Sequence, residues 1–546
     1  MLADSLSAMR RFLCWGLPLV LLLLAPPLST AQEAQYGETT FENSGAEAAQ
    51  APFLRGLLLL HSFEYGDARR AFREAQRRDP DFAMAHWGEA MTHNHPIWME
   101  QDRAAALETL QDFAPSPKKR LEKTPTEREA AYLRTLHVLY GAGDEDPRPK
   151  ERRDDAYADA LADLAAKYPD DLDAQAFHAL ALLGTAHEGR DFATYMRAAG
   201  IVEEVFDENP RHPGAAHYLI HAYDDPVHAP LGLRPARVYA DIAPAAPHAL
   251  HMPSHIFFAM GMWDRGAASN VDSYEAARAK SRERDQGLSG GGFHALHWLH
   301  YARLQQGRHD EARAVLDTTR RHARRAASGY ADYMRWYMPA AHVMGTEEWG
   351  ELDPLLDAMA VNVDSLDARG AVTVHAGRGL AAAQRGDRAA AEAALSRART
   401  ALGNSDAPDL RIQVLELSGL LALTRGETAP ALDSLRAAAA LEAEQPLEFG
   451  PPFPVKPAHE LYGEALLRLD RPAEALPQFE ETLARYPDRA LALRGTAEAA
   501  ARAGKPAVAR EARAALEAQW READAALQDR LRSLTRSSAT DAAESR

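Results

Sequence analysis

Four times along the chain a glycine is followed twelve residues later by an alanine, each time inside an apolar pattern of helical period: Gly56/Ala68, Gly379/Ala391, Gly419/Ala431 and Gly463/Ala475. Small residues at that separation suit two consecutive helices that cross closely, since neither carries a side chain that would hold the backbones apart. One such hairpin cannot bury its apolar face alone, so neighbours must stack into a continuous core with an extended curved surface. Period-two runs of β-branched residues are lacking and alanine-rich helical stretches dominate, which predicts an all-α chain.

In the first unit the pattern continues through Phe72, Ala75 and Pro80, and in the last through Phe479 and Pro487. These residues resemble the tetratricopeptide repeat, a helix-turn-helix unit of about 34 residues. The resemblance runs from about Ala49 to Leu527 and implies a right-handed α-solenoid. On this reading residues 49–210 are N-terminal repeats with insertions, 211–320 are histidine-rich central repeats and 321–533 are C-terminal repeats. A linker (32–48) precedes them and a polar, disordered tail (534–546) follows. Pro-rich, charged or Gly-rich breaks at Phe113–Thr126, Gly141–Arg153, Ser281–Gly292 and Gln445–Pro457 are predicted to be loops on the rim.

The first 31 residues read as a targeting segment: Arg10-Arg11, an apolar run from Phe12 to Leu28, then Ser29-Thr30-Ala31. Cleavage is expected after Ala31. Pro18, Pro26 and Pro27 shorten the apolar run below a membrane span, so the mature chain is expected to have no such span and to be periplasmic or secreted. It would also be cysteine-free, because Cys14 is the single cysteine. A net charge of −17 repels phosphate backbones and argues against a nucleic-acid partner. Because a single cysteine cannot build a multi-thiolate site, any metal must be held by His, Asp or Glu.

Histidine is where the chain departs from a plain repeat. Of 22 histidines, ten lie between His212 and His300, where even spreading predicts about four. His255 and His300 each stand twelve residues before an alanine, Ala267 and Ala312, and so occupy the glycine position of the repeat. A bulky imidazole there must be hydrogen-bonded, metal-bound or turned into a cavity. His217 and His221 are four apart, which places both rings on one helical face, with Asp224 and Asp225 within a turn. Pro253 is expected to start a helix between His251 and His255, leaving open whether that pair shares a face. The candidate ligands of a divalent transition metal such as zinc are His217, His221, His251 and His255, helped by His294 and His297.

A second candidate set is Glu89, His93 and His95, one carboxylate and two imidazoles within two turns. Glu460 and Glu464 are expected to form a solvated acidic face, since Gly463 stands where a zinc-protease motif needs its second histidine. Gly287-Leu-Ser289-Gly-Gly291 fits a nucleophile elbow only in letters, because a charged helical run precedes it in place of a strand.

The strings His212–His221, His251–Phe257 and Lys456–Glu464 also resemble a group of exported bacterial tetratricopeptide proteins with comparable histidine-rich segments. That resemblance implies the fold and no activity. Two functional readings follow. One is a scaffold that binds a protein or peptide segment in its concave groove and carries a central histidine-rich pocket. The other is a metal-dependent protein, a hydrolase among the options, in which imidazoles hold a metal that polarises substrate or activates water.

Overall fold

The computed structural model describes residues 35–144, 147–325, 329–447, 449–529 and 531. The targeting segment and the polar tail lie outside the described residues. Among the described residues the regular structure is helical except for a two-residue antiparallel ladder, Asn94–His95 with Glu100–Gln101. The chain is an all-α solenoid of stacked helical hairpins, with nearly every helix packed on the next in sequence. No helix among the described residues is long and apolar enough to cross a membrane.

The small residues act at the crossings. A Cβ on Gly56 or on Gly88 would fall 2.8 or 2.3 Å from the Phe72 ring. Phe72 is thus wedged between the first helices of successive hairpins. The same arrangement returns near the other end, where the Phe479 ring sits against Gly463 and Gly495. Glycine, aromatic and next glycine are sixteen residues apart in both places, so one packing solution is used at both ends of the superhelix.

At the N-terminal end, residues 35–46 carry no helix and run across the first hairpins. Thr39 Oγ1 donates to Asp173 Oδ2 (2.8 Å), Ser44 N to Glu129 Oε1 (2.8 Å) and Glu38 N to the Arg211 carbonyl (2.9 Å). The expected loop Phe113–Thr126 contains a helix, Pro117–Lys123, capped by Ser116 and held by buried Arg120, whose Nε donates to the Leu110 and Ala114 carbonyls.

The C-terminal hairpins fold back onto the central ones. Trp263 Nε1 donates to the Asp488 carbonyl (3.2 Å), Ala490 N to Gln305 Oε1 (3.0 Å), and Asp524 N to the Gly307 carbonyl (3.0 Å). Residues 445–447 and 449–457 take part in this closure and are not a free rim. Gly450 lies on the Trp298 ring, Phe453 stacks near Tyr337, and Tyr337 donates to the Pro452 carbonyl (2.6 Å).

Gly450 has φ +85°, and a Cβ there would lie 2.4 Å from Trp298 Cζ2. Gly450→Ala therefore combines a left-handed backbone with a ring clash and is expected to cost about 2 kcal/mol or more. Urea unfolding of the variant checks this; an unchanged midpoint would mean that the segment does not seat on Trp298.

Glu460 and Glu464 are not a solvated face. Glu460 is fully buried and accepts from Lys456 Nζ (2.8 Å) and from Arg489 (2.7 and 3.0 Å), while Lys456 also bonds Glu464 (2.6 Å). Burial pushes the Glu460 carboxyl up, and the two cations more than reverse this, so it stays ionised.

Candidate metal centre

Three stretches of chain bring the central imidazoles together. His217 and His221 lie on the helix Pro213–Ala222, whose N-terminus is capped by His212 Nδ1 accepting from Ala215 N (3.1 Å). His248 and His251 lie on Pro247–His251, and His255 on Pro253–Ala259. Pro253 starts a new helix there, but the joining residue Met252 has φ −54° and ψ −35°. The helical path therefore continues through the break, and His251 and His255 do share a face. His294 comes from the helix Gly290–Gln305.

Six rings form a continuous set. Ring centroids are 4.9 Å apart for His217/His221, 5.0 Å for His217/His248, 4.9 Å for His251/His255 and 4.4 Å for His251/His294. His221/His255 (5.7 Å) and His248/His251 (6.0 Å) join the two halves. His217, His221 and His248 form one group whose ligand atoms all lie within 4.8 Å of one another, and His251, His255 and His294 form another.

Hydrogen-bond arithmetic decides what these nitrogens present. His251 Nδ1 is 2.7 Å from Asn270 Oδ1, and that amide is oriented by its Nδ2 donating to the Gly266 carbonyl (2.7 Å). His251 Nδ1 must therefore carry its proton. His255 Nδ1 faces Asp224 Oδ2 at 2.5 Å and is likewise the protonated nitrogen. In their neutral forms both rings then turn an Nε2 lone pair toward the other, with the two nitrogens 3.0 Å apart. Two lone pairs at that distance repel unless a proton or a metal ion stands between them or beside both. Two nitrogens bound to one zinc at 2.0–2.1 Å and a tetrahedral angle are about 3.3 Å apart.

In the other half one ring, His217, is fixed in the same way. His217 Nδ1 donates to the His61 carbonyl (2.6 Å), leaving its Nε2 lone pair 3.1 Å from His248 Nε2. His221 Nε2 is buried with no hydrogen-bond partner. Burial, followed by the neighbouring imidazoles, holds His217, His221, His248 and His251 well below the usual histidine range, and neutral imidazole is the form that binds metal.

A cavity of about 840 Å³ reaches this cluster through His248, His251 and His294. Its wall includes Phe63, Tyr65 and half-exposed Trp98 (43%) together with Glu64, Asp67, Lys280 and Arg284. On the other side the cluster is closed by Trp298, 4.3 Å from the His255 ring, and by Phe449, 5.1 Å from it.

The remaining candidates are not brought to this point. His297 Nδ1 is 3.2 Å from the Tyr330 hydroxyl, and its ring packs against Tyr337 (4.7 Å). Glu89, His93 and His95 do not converge. The Glu89 carboxylate is taken by Arg73 (2.6 Å) and Gln76 (2.7 Å), His93 faces Arg69, and His95 stacks on Tyr65 (4.0 Å). Donors from the preceding helix occupy the carboxylate that a metal would need. His300 meets His342 at 3.2 Å, apart from the six rings. Ser289 is a helix N-cap, its hydroxyl accepting from Gly292 N (3.3 Å).

Sequence reasoning missed His248 as a member of the set and missed the triad His61, Asp173 and His212. Within that triad His61 is fully paired: its Nε2 donates to Asp173 Oδ1 (2.7 Å) and the Tyr218 hydroxyl lies 2.9 Å from its Nδ1, while His212 Nε2 stands 3.4 Å from the same carboxylate without a hydrogen bond. Burial raises the Asp173 carboxyl, but its two histidines pull it well below the usual range. It serves the site by fixing His61, whose carbonyl orients His217. A signal existed in Asp173 itself, a carboxylate on the apolar stripe of Phe177 and Leu180.

Three histidines outside the ligand set make the metal-free fold acid-sensitive. Burial holds His297 and His342 at about 3, and burial with the Arg69 charge holds His93 at about 4. All three folded values lie below the unfolded one near 6.5, so below that pH the unfolded chain binds more protons. Stability is full above about pH 6.5 and falls as pH drops toward 4, by about 1.4 kcal/mol per pH unit for each proton. Urea midpoints measured on metal-free protein across this window should decline steadily; a flat profile would contradict the burial of these rings.

No family model and no curated protein matches the chain. Among solved structures it is similar to yeast Tom70 (14% identity, 85% of this chain and 98% of that one, TM-score 0.35). A human IFIT1 dimer with m7Gppp-AAAA (12% identity, 90% and 93% covered, TM-score 0.36) and the APC/C hetero-tetramer Cut9-Hcn1 (13% identity, 91% and 78% covered, TM-score 0.32) are also similar. These likenesses are distant, and the repeat fold is carried by this chain's own helices and their glycine–aromatic crossings.

Proposed function

We propose that this chain is an exported helical-repeat protein that holds a divalent transition metal among its central histidines and presents it to the neighbouring cavity. One observation carries the reading: the Nε2 atoms of His251 and His255, whose Nδ1 atoms each face a separate acceptor, stand 3.0 Å apart in the interior, near the bite of a single ion. Buried polar groups are usually paired off in native proteins, as His61 is between Asp173 and Tyr218. Asn270, Asp224 and the His61 carbonyl stand where metal-binding histidines usually find their orienting partners. Export is supported by the Arg10-Arg11 and Phe12–Leu28 pattern. The cavity gives a small molecule access, and a metal there would supply Lewis acidity or an activated water, the chemistry of a hydrolase.

A peptide-binding scaffold is the second reading, favoured by the size of the cavity and by Trp98 at its wall. It ranks lower because the chain's own residues 449–454 and Arg489 already cover Trp298, Tyr301 and Tyr337.

The test is a zinc titration of metal-free protein against a chromophoric chelator, beside the variant His251→Ala/His255→Ala. Micromolar or tighter binding that weakens at least a hundredfold in the variant supports the reading. Equal weak binding by both proteins overturns it and leaves the scaffold.

A further inference from the structure

We propose that the central cluster takes two metal ions side by side, a binuclear centre with three imidazoles to each ion. This rests on the metal-binding reading and adds the number of ions and the division of their ligands.

The division follows from two close nitrogen pairs. His217 Nε2 and His248 Nε2 stand 3.1 Å apart, and His251 Nε2 and His255 Nε2 stand 3.0 Å apart. Each pair has a separation near the bite of one ion. A third ring completes each set: His221, with its buried and unpartnered Nε2, beside the first pair, and His294 beside the second. Six imidazoles exceed the four positions of a tetrahedral ion, and three protein ligands with one position left open are what a reactive zinc site needs. The halves touch through His221/His255 and His248/His251, so ions held in them would be neighbours.

Both open positions face one space. His248 from the first set, and His251 and His294 from the second, line the same cavity. The donors are imidazoles alone, which suit zinc or copper and disfavour magnesium, calcium and manganese. Two dications on imidazoles would be compensated only in part, by Asp224, bonded to His255, and by Glu64, which accepts from His248 N (3.1 Å) and is itself paired with Lys280. The centre therefore calls for an oxygen-donor anion, hydroxide or a small carboxylate or phosphate, bridging the ions from the cavity side.

The experiment counts ions. Full-length protein is loaded with excess zinc or copper, freed of unbound metal by gel filtration and analysed by mass spectrometry of the elements. Two ions per chain are expected. His217→Ala/His248→Ala and His251→Ala/His255→Ala should each retain one, and the fourfold variant none. Copper(II)-loaded native protein is also examined by electron paramagnetic resonance, which needs no variant to fold. A half-field transition or loss of signal through spin coupling is expected as the second ion enters. One ion per chain, or two with additive uncoupled spectra, overturns the binuclear centre while leaving the metal-binding reading intact; no ion at all overturns both.

Discussion

Glu460→Ala is expected to destabilise the protein by about 3–5 kcal/mol, among the largest effects open to a single replacement here. The carboxylate is fully buried between Lys456 and Arg489. Removing it leaves Lys456 its bond to Glu464, but leaves Arg489 with only the Tyr301 hydroxyl (3.2 Å). An uncompensated guanidinium in the interior is far costlier than the loss of one hydrogen bond. Tyr301 lies on the helix that carries His294, so the damage reaches the seam between the C-terminal and central hairpins. Replacing both partners with apolar residues, Glu460→Met with Arg489→Leu, removes the stranded charge and should recover part of the loss. Urea unfolding of the two single variants and the double one gives the coupling; additive losses would show that Glu460 and Arg489 do not stabilise each other.

Asp224→Asn and Asn270→Leu should each weaken metal binding by about 10–100-fold while leaving every proposed ligand in place. Asp224 holds the proton on His255 Nδ1, and Asn270 holds it on His251 Nδ1. Without those acceptors each ring can carry its proton on Nε2 instead, which removes the lone pair the metal needs, and can also rotate. Asp224→Asn still offers an amide oxygen and should lie at the mild end; Asn270→Leu offers no acceptor and should lie at the severe end. Competition with a chelator measures both, and circular dichroism shows whether the fold is retained. Affinities within twofold of native in folded variants would show that the tautomers are not set by these residues.

The hairpins were legible because crossing glycines are a local requirement. The twelve-residue spacing needs nothing beyond two helices and a turn, and Phe72 and Phe479 stand where that spacing puts them. The departure at His255 was legible for the same reason: a ring in a glycine's place must be accommodated, and it is, between Asp224 and Trp298. The relation of His251 to His255 could not be read, since a proline normally breaks helical register and only the αR conformation of Met252 restores it.

What sequence does not carry is the partner supplied from far along the chain. Glu89 has the spacing of a ligand, but Arg73 and Gln76 of the preceding helix reach it first. Glu460 has the look of a surface carboxylate, yet Arg489 arrives from 29 residues away. The return of the C-terminal hairpins onto Trp298 and Tyr301 is a property of the accumulated superhelix, which no single repeat encodes.

Crystals of the protein grown with zinc, and measured on both sides of the zinc absorption edge, put the central claim to its most direct trial. The account predicts an anomalous peak 2.0–2.1 Å from the Nε2 atoms of both His251 and His255. Anomalous peaks confined to surface carboxylates, with those two nitrogens still facing each other across an empty gap, would contradict it.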